Sequence, residues 1–507
     1  MIPWEKLNIE LSRDERDLDE HSEDASQYHA RPAAVAFPRH VQDCRAILAF
    51  CREHGVSIHA RGSGTSRGGQ PLGSGLVVNF RRYMNRILSF DGLTVVTEPG
   101  AHYSEVQKFL RPFGRSFPPD PSYHQCTIAG MIANNAAGIH SVKYGGTADH
   151  VRGLAFLTSD GALHDSDHAD ALSERVTSFL RKNQATFGED FPRVEKNSSG
   201  YRVDLGLRAD GGLDLGKLLS GSEGTLALLT ECRLSTVPLP KATALSLLYF
   251  RTLEDSLRAA PPLKDAGVAA CEMVDKVLLD LHNADGDSKH AKKIGGNKFL
   301  DLFYELKAEA ILVVETEGET VEAARRLLDQ SIVGCGALAT REGAGDDVAL
   351  MWDLRRHTSP ILNRLENGKI SIKPLWGVED VSLPRATFLP YIREQKEIFA
   401  RSGLTCSFFG HAASCNLHID PLAVDPRRAR ADADLALLYD RVAAESYALV
   451  IKHGGAISGE HGDGLSRTAY LPLQYPKSYP LFVELKNLFD PCGILNPGKI
   501  VISTKGA

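Results

Sequence analysis

The sequence predicts an α+β protein with more than one domain. At 507 residues the chain is longer than one hydrophobic core usually supports, and its 43% hydrophobic content is enough to build more than one. Short apolar runs alternate with segments of helical period, and Pro238 and Pro240 separate an earlier alternation from a later one. We therefore predict a first domain over residues 1–239, a cap domain over residues 240–455, and a C-terminal segment over residues 456–507 that packs back on the first domain.

The first domain is predicted to begin as a compact mixture of strands and helices. Its strands are short and β-branched, and its helices show apolar residues at helical spacing. The predicted elements are, in order, strand Val35 to Phe37, helix Val41 to His54, strand Val56 to Ala60, strand Leu76 to Phe80, strand Leu93 to Glu98, helix Tyr103 to Phe113, strand Val151 to Ser159 and strand Leu226 to Ser235.

The cap domain repeats this alternation after the two prolines. The predicted elements are strand Ala244 to Phe250, helix Leu253 to Lys264, strand Val268 to Val274, strand Ala310 to Glu315, helix Val321 to Ser331 and a return strand near Cys335 to Thr340. This order is typical of a split β-α-β arrangement with an antiparallel sheet. It predicts helices on one face of the sheet and leaves the other face to cover a site.

Charge and hydropathy exclude two classes of partner. The formal net charge is −6, and lysine and arginine are spread along the chain without a basic block, so nucleic acid is not an expected partner. Apolar runs such as Ala244 to Phe250 are shorter than the roughly 18 residues that a spanning helix needs. The acidic opening, Met1 to Glu20, lacks the apolar core of a secretory signal. We expect a cytoplasmic protein and leave open a peripheral contact with a membrane.

The cysteine pattern favours buried thiols. Nine cysteines are scattered along the chain, and no Cys-x-x-Cys pair occurs, so local ligands for a zinc ribbon or an iron–sulfur cluster are missing from the sequence. An odd number also makes a fully paired disulfide framework improbable.

A glycine-rich loop, Arg61 to Gln70, follows a short predicted strand. Glycines there allow backbone N–H groups to approach an anion closely, and pyrophosphate is the expected ligand. The loop is not a Walker motif, because no Gly-Lys-Ser/Thr follows, and Pro71 and Gly73 interrupt the helix that a Rossmann motif requires. Taken alone, such a segment is more often just a turn.

Further motifs follow the loop in a fixed order. They are Pro118-Pro119-Asp120-Pro121, Thr127-Ile128-Ala129-Gly130, Asn134-Asn135-Ala136-Ala137-Gly138, Tyr144-Gly145 and Gly221-Ser222-Glu223-Gly224-Thr225-Leu226. This series resembles the vanillyl-alcohol oxidase/p-cresol methylhydroxylase (PCMH) flavoproteins, from about Asp24 to Val501. The later histidine and glutamate motifs, with Asn496-Pro497-Gly498-Lys499, narrow the resemblance to the branch that oxidises D-lactate, D-2-hydroxyglutarate or glycolate.

The resemblance implies a PCMH-type FAD-binding domain of two subdomains, followed by the α+β cap domain with its antiparallel sheet. It also implies a set of FAD-binding residues, namely Arg61, Gly62, Ser63, Gly64, Thr65, Ser66, Gln70, Pro119, Asp120, Thr127, Gly130, Asn135, Gly138, Glu223, Gly224, Leu228 and Asn496. Some relatives hold FAD covalently through histidine or cysteine. Because the first loop has no histidine and Cys126 is one place away from the expected position, we predict non-covalent FAD.

His411, His418 and Glu460 form a candidate metal-binding set, with His461 beside it as a candidate base. The two histidines are seven residues apart, so a straight strand would direct them to opposite faces. They converge only if the chain bends between Ala412 and Asn416. Hydrogen-bonded structural histidines are the alternative interpretation.

In the resembled dehydrogenases the corresponding residues bind zinc or manganese, and the histidine after the glutamate takes the substrate hydroxyl proton. This chain departs from the commoner motif by carrying Ala413, Ser414 and Cys415 where Gly, Asp and Gly are typical, which leaves the identity of the metal open. Cys415 is interpreted as a packing residue, with a thiolate ligand as the alternative.

The substrate carboxylate also needs a cationic partner, and a guanidinium binds a carboxylate through two hydrogen bonds. By resemblance, Arg355 and Lys373 contact the carboxylate and Asn416 assists. The alternatives are a solvated helix face for Arg355 and an exposed strand position for Lys373.

The leading hypothesis is therefore an FAD-dependent dehydrogenase that oxidises a small D-2-hydroxy acid with the help of a divalent metal. The chain lacks the cysteines of an iron–sulfur domain, so we expect it to pass electrons to a quinone, an electron-transfer flavoprotein, a cytochrome or a separate iron–sulfur protein, or to react with oxygen. A homodimer is predicted. The alternatives are a metal-free oxidase or transferase of the same fold, as in the ether-lipid synthase relatives, and a flavin-binding subunit without turnover.

Overall fold

The computed structural model of the chain describes residues 2–284, 297–356, 373–374, 378–423 and 433–502. Its strands are Leu11–Ser12, Ala34–Ala36, Ile58–Arg61, Leu76–Asn79, Ile87–Phe90, Thr94–Thr97, Arg115–Ser116, Val151–Leu157, Leu163–Asp165, Leu228–Ser235, Val237–Pro238, Ala242–Phe250, Ala270–Asp275, Ala310–Gly318, Ala339–Glu342, Lys373–Pro374, Val381–Ser382, Thr405–Gly410 and Asn416–Ala423. Its α-helices are Glu15–Glu20, Val41–His54, Tyr103–Leu110, Ile128–Ala133, Ser141–Tyr144, Ala171–Asp190, Leu215–Leu219, Leu253–Asp265, Lys276–Ala284, Lys298–Glu305, Val321–Ile332, Asp347–Arg356, Phe388–Arg401, Ala433–Lys452, Gly464–Arg467, Leu471–Gln474 and Tyr479–Phe489. None of these described helices is long and apolar enough to cross a bilayer.

A four-stranded sheet lies near the N-terminus. Its strands, in spatial order, are Leu11–Ser12, Ala34–Ala36, Leu76–Asn79 and Ile58–Arg61, and the last three are parallel. Helix Val41–His54 packs on this sheet because Cys44, Ile47 and Cys51 form one apolar stripe, and Gly55 ends the helix in the left-handed conformation. The sequence pattern predicted both ends of this helix.

A five-stranded antiparallel sheet completes the first half of the chain. Its strands, in spatial order, are Ile87–Phe90, Thr94–Thr97, Leu228–Ser235, Val151–Leu157 and Leu163–Asp165. Leu157 and Leu228 pack into the core of the four-stranded sheet, so the two sheets share one core at this point. The sequence pattern did not single out helix Ala171–Asp190, which buries Val176 and Leu180 in the neighbouring core.

The third sheet is antiparallel, as predicted, and contains the strands of the cap domain. In spatial order they are Ala339–Glu342, Ala242–Phe250, Ala310–Gly318, Ala270–Asp275, Thr405–Gly410, Asn416–Ala423 and Lys373–Pro374, with Val381–Ser382 also paired to Asn416–Ala423. These pairings confirm the α+β class and the antiparallel cap sheet.

The prediction that one face of the cap sheet is free of helices was wrong. Helices Leu253–Asp265 and Val321–Ile332 pack on one face, as expected. The other face buries Leu247 and Ile311 against helices Lys276–Ala284, Lys298–Glu305 and Asp347–Arg356. The strands carry apolar residues on both faces of the sheet, so each face needs a covering layer.

The C-terminal segment contacts the first half of the chain. Asn496 Nδ2 donates to the carbonyls of Gln70 at 2.9 Å and Glu223 at 2.7 Å. His59 Nδ1 lies 2.8 Å from Asn496 Oδ1, and Lys499 donates to the carbonyl of Leu72. The last residues of the chain therefore help to hold the loop that follows strand Ile58–Arg61.

Replacing His59 with Gln is expected to reduce the loss of stability on acidification. Burial, with Lys499 nearby, lowers the pKa of His59 to about 4, so between about pH 6.5 and pH 4 the unfolded chain binds a proton that the folded protein does not. The free energy of unfolding falls as pH drops through this window, by up to about 3 kcal/mol from this residue. Urea unfolding above and within the window measures the slope. His168→Gln, at an exposed histidine, is the control; equal slopes in His59→Gln and the wild type would contradict the prediction.

Candidate active site

A cavity of 680 Å³ lies between the glycine-rich loop and the cap sheet. Eleven of the predicted FAD-binding residues line it, namely Arg61, Gly62, Ser63, Gly64, Thr65, Ser66, Gln70, Thr127, Gly130, Glu223 and Gly224. The same cavity is lined by Arg355, His418, Glu460 and His461. Residues predicted to bind the cofactor and residues predicted to carry out chemistry therefore face one space.

The geometry of the loop fits a pyrophosphate. A Cβ at Gly62 would lie 2.0 Å from Thr127 Oγ1, and that oxygen accepts from the N–H of Gly130 to begin helix Ile128–Ala133. Gly64 has a φ of +67°, in the left-handed region that favours glycine. A side chain at Gly62 or Gly64 would meet Thr127 or Arg61, so the loop keeps this close-fitting path only with glycine at both positions, as a cradle for phosphate oxygens requires. The residues present therefore fit FAD.

Arg61 lines the cavity, but its donors are directed elsewhere. Its guanidinium donates to the carbonyls of Glu20 at 3.2 Å and Glu23 at 2.6 Å. These bonds hold the N-terminal segment against the loop. Backbone N–H groups are therefore better candidates for phosphate contact than the Arg61 side chain.

Six predicted FAD-binding residues lie outside the lining of this cavity, namely Pro119, Asp120, Asn135, Gly138, Leu228 and Asn496. Contact of these six residues with FAD stays a prediction. Asp120 Oδ1 lies 2.9 Å from His124 Nε2, and a Cβ at Gly138 would lie 1.7 Å from the carbonyl oxygen of Asp120. The sequence motif marks these positions because the backbone packs closely there, and close packing is a different requirement from ligand contact.

Gly62→Ala is expected to weaken retention of FAD and to destabilise the fold by about 1–3 kcal/mol, the usual cost of overpacking. The added methyl group must displace Thr127, a branched side chain that caps a helix. The flavin-to-protein absorbance ratio after gel filtration measures retention. Gly188→Ala is the matched control, because a Cβ at Gly188 meets nothing within 4 Å. Equal flavin content in the two variants would count against the proposed cradle.

The chain reverses direction between His411 and His418, the two histidines predicted to bind a metal. Strands Thr405–Gly410 and Asn416–Ala423 form an antiparallel hairpin in which Phe409 pairs with His418. A 3-10 helix, Ala412–Ser414, and Cys415 at φ +50° make the turn. The predicted bend is confirmed. Cys415 is buried, and burial raises its pKa to about 12, so its thiol serves packing.

His411, His418, Glu460 and His461 meet at the end of this hairpin, and we call them the histidine–glutamate cluster. Glu460 Oε2 lies 3.1 Å from His411 Nε2, and Glu460 Oε1 lies 3.3 Å from His418 Nε2. Two ligand atoms of a tetrahedral zinc ion lie roughly 3.4 Å apart. Ligand atoms of His411, His418 and Glu460 all fall within 4.8 Å of one another, so this donor set fits a divalent cation.

Buried charges surround the cluster. His411 Nδ1 lies 2.6 Å from Glu272 Oε1, which is the usual support for a metal-binding imidazole. Although burial favours the neutral acid, His411 and Arg355 lower the pKa of Glu272 to about 2. Burial opposes ionisation of Glu460 as well, yet His411 and Lys196, whose Nζ lies 2.9 Å from Glu460 Oε2, hold its pKa well below the usual range.

The two cavity-facing imidazoles are held side by side. The rings of His418 and His461 stack with centroids 4.8 Å apart and an interplanar angle of 12°. Burial, with His461 nearby, lowers the pKa of His418 to about 4, so His418 is neutral, as a metal ligand must be. Among the described residues, His418 Nδ1 has no hydrogen-bond partner.

His461 is oriented by two acidic residues that the sequence did not mark. Its Nδ1 lies 3.3 Å from Glu379 Oε1, and its backbone N–H donates to Asp380 Oδ2 at 2.9 Å. The N–H of Glu460 donates to the same oxygen at 2.8 Å, and buried Arg467 donates to Glu379. Glu379 and Asp380 therefore fix both Glu460 and His461.

The three remaining predicted residues are placed differently from one another. Arg355 is buried and donates through Nε to Glu272 at 2.7 Å, so the solvated-face interpretation was wrong. Asn416 Nδ2 donates to Asp380 Oδ1 at 2.8 Å and does not line the cavity. Lys373 forms a strand pair with Ala423, and its side chain lies outside the described part of the chain.

Comparisons with known proteins match both halves of the chain. Residues 32–167 match the FAD binding domain, and residues 239–500 match the C-terminal domain of FAD linked oxidases. The chain is 30% identical, over 94% of its length, to a D-2-hydroxyglutarate dehydrogenase of Pantoea ananatis, and it spans only 49%, about half, of that relative. It is also 30% identical, over 95% of its length, to the glycolate oxidase subunit GlcD of Bacillus subtilis and covers 91% of it.

A solved structure shows the same fold. Substrate-bound p-cresol methylhydroxylase superposes with a TM-score of 0.70 at 14% sequence identity, covering 98% of this chain and 95% of that one.

Proposed function

The chain belongs to the FAD-linked oxidases, which confirms the resemblance carried by its motifs, and we propose that it oxidises a D-2-hydroxy acid to the 2-oxo acid. The observation that carries the proposal is the convergence of His411, His418 and Glu460 with His461, beside the cavity that the glycine-rich loop lines. The names of the two relatives, a D-2-hydroxyglutarate dehydrogenase and a glycolate oxidase subunit, support the substrate class.

FAD, when bound in the cavity, supplies the acceptor for the hydride that leaves C2 of the hydroxy acid. We propose that it binds without a covalent link. Cys126 lines the cavity, and burial raises its pKa to about 12, so the thiolate that a covalent link needs is disfavoured.

A zinc or manganese ion, when held by His411, His418 and Glu460, lowers the pKa of the substrate hydroxyl. The protein prepares this set by fixing His411 through Glu272 and by keeping His418 neutral. Cation binding through His411 Nε2 requires the neutral ring, with Nδ1 donating to Glu272.

His461 is the proposed base, because it lies in the cavity wall beside Glu460 and takes the hydroxyl proton without moving far. Glu379 holds the ring through Nδ1, which leaves Nε2 as the atom that receives the proton. Asn416 acts through Asp380 and is proposed as a positioning residue.

Arg355 and Lys373 are proposed to hold the substrate carboxylate. Arg355 lines the cavity, and Glu272 fixes the plane of its guanidinium. This arrangement suits two parallel hydrogen bonds to a carboxylate.

The reduced flavin then needs an acceptor. We propose a quinone, an electron-transfer flavoprotein, a cytochrome or a separate iron–sulfur protein as the acceptor, with the chain acting as a cytoplasmic or peripheral homodimer.

Anaerobic titration of the purified yellow protein tests the proposal. D- and L-2-hydroxy acids are added in turn, with and without a chelator, and the flavin absorbance is followed. Bleaching by D-acids, but not by L-acids, is expected. Failure of every 2-hydroxy acid to bleach the flavin would favour a flavin-binding subunit without turnover.

A metal-free oxidation is the second candidate, and one observation favours it. Lys196 Nζ lies 2.9 Å from Glu460 Oε2, so Lys196 balances the charge of Glu460 without a metal ion. Full activity in protein that metal analysis shows to be free of divalent ions would select this alternative.

A further inference from the structure

Arg67 is a cavity cation that the proposed mechanism does not use. It lies within the glycine-rich loop, and its side chain, 20% exposed, lines the same cavity as His418, Glu460 and His461. Its charged neighbour among the described residues is Asp420, whose Oδ1 lies 3.9 Å from Nη2. That separation is too long for a hydrogen bond, so the N–H groups of Arg67 are not committed to Asp420.

Asp420 is the buried acidic residue behind Arg67. Its side chain is 0% exposed, and neither carboxylate oxygen has a hydrogen-bond partner within the described part of the chain. It lies two residues after His418 in strand Asn416–Ala423, and residues two apart point to the same face of a strand. A buried acid without a hydrogen-bond partner is costly, so Asp420 favours the approach of the Arg67 guanidinium to the wall that also presents His418.

The strand order separates Arg67 from Arg355. Arg355 is held by Glu272 on strand Ala270–Asp275, and Arg67 lies beside Asp420 on strand Asn416–Ala423. Strand Thr405–Gly410 lies between these two. Glu272 and Asp420 are therefore two strands apart, and the pairing also offsets them along the strands, so the two guanidiniums enter the cavity from separate anchoring points. Two cations placed in this way suit a substrate with an anion at each end.

We infer, resting on the proposed function, that Arg67 binds the distal carboxylate of a dicarboxylic D-2-hydroxy acid. Arg67 is then the residue that makes the site prefer dicarboxylic over monocarboxylic substrates. Arg355 holds the carboxylate next to the reacting carbon, and Asp420 is the positioning residue for Arg67. A guanidinium is suited to this task because it stays charged and offers a planar pair of donors.

Pre-steady-state flavin reduction tests the inference with matched acids. Wild type, Arg67→Leu and Arg67→Lys are mixed anaerobically with D-2-hydroxyglutarate, D-malate and D-lactate. Arg67→Leu is expected to lower the second-order rate constant for both dicarboxylates by roughly 10- to 100-fold and for D-lactate by less than about threefold. The rate constants of Arg67→Lys are expected to lie between those of the wild type and Arg67→Leu, because lysine keeps the positive charge but lacks the paired N–H donors of a guanidinium. Arg45→Leu, at an exposed helix position, is the control for loss of a positive charge.

Binding of 2-oxoglutarate and of pyruvate to the oxidised protein, read from the flavin spectrum, gives a second measure. Selective weakening of 2-oxoglutarate binding in Arg67→Leu supports the inference even where no hydroxy acid reduces the flavin, in which case only the proposed function fails. Four results would overturn the inference. In Arg67→Leu these are equal losses of rate for mono- and dicarboxylic acids, an unchanged preference for dicarboxylic acids, or loss of FAD. In the wild type it is oxidation of D-lactate without oxidation of dicarboxylates.

Discussion

His461→Asn is expected to slow reduction of the flavin by a D-2-hydroxy acid about 10³-fold, within the usual range for a general base. The substitution removes the only ring beside Glu460 that is proposed to accept the hydroxyl proton. Because Glu379 and Asp380 keep their other contacts with Arg467, Ser458 and the backbone of Glu460, we expect the fold around the site to persist. Stopped-flow absorbance of the flavin measures the rate.

Three further measurements separate catalysis from structural damage. FAD content, metal content and binding of a 2-oxo acid are expected to stay near their wild-type values in His461→Asn. His453→Asn is the matched control, since His453 is a part-buried histidine that lies 2.9 Å from Glu394 and does not line the cavity. An unchanged reduction rate in His461→Asn would transfer the role of base to another group, with Glu379 as the nearest carboxylate.

Local signals in the sequence were sufficient for much of the fold. Helix Val41–His54 was predicted in full because its apolar stripe has a clear period and Gly55 follows it. Four strands of the cap sheet, Ala242–Phe250, Ala270–Asp275, Ala310–Gly318 and Ala339–Glu342, were predicted within a few residues because apolar runs lie between clear helices. The other strands of that sheet were not predicted. Strand Ile87–Phe90 was missed, since it has only four residues and its central residues are exposed. Exposed strands owe their structure to the neighbouring strand rather than to their own pattern.

The difference between local and non-local signals also explains which site residues were predicted from the sequence. The histidines and glycines of the site were predicted because these residue types suggest metal binding, proton transfer or close backbone approach by themselves. Glu272, Lys196 and Glu379 were missed because their roles depend on partners that are distant in the chain, such as His411 for Glu272. One signal was present: Glu379 and Asp380 are two adjacent acidic residues within an apolar segment, which is a rare and costly arrangement unless both are paired.

Asp120 and Asn496 make structural contacts that their motifs did not predict. The motifs around them are specific, and the resemblance suggested contact with FAD. In the structure Asp120 lies close to His124 and His140, and Asn496 joins the C-terminal segment to the loop by way of Gln70 and Glu223. These motifs therefore mark positions with a structural role, and contact of Asp120 and Asn496 with FAD stays a prediction.

Glu460→Gln is expected to lower metal affinity by at least about 100-fold and to abolish most of the metal-assisted rate. Glu460 is the anionic member of the metal set. Both of its oxygens lie 3.1 Å from His411 Nε2, and Oε1 also lies 3.3 Å from His418 Nε2. The amide keeps the shape but loses the charge that binds a divalent cation. Metal content per chain after dialysis, measured by mass spectrometry, and the flavin reduction rate are the two readouts.

The variant also leaves Lys196 without a negative charge beside it, and a largely buried ammonium without an opposite charge is itself destabilising. The double variant Lys196→Met with Glu460→Gln separates the two effects, because it removes both charges and still lacks the ligand. We expect the double variant to recover thermal stability but neither metal nor activity. Recovery of activity in the double variant, without metal, would show that charge balance at Glu460 rather than cation binding is what the reaction requires, and would select the metal-free candidate.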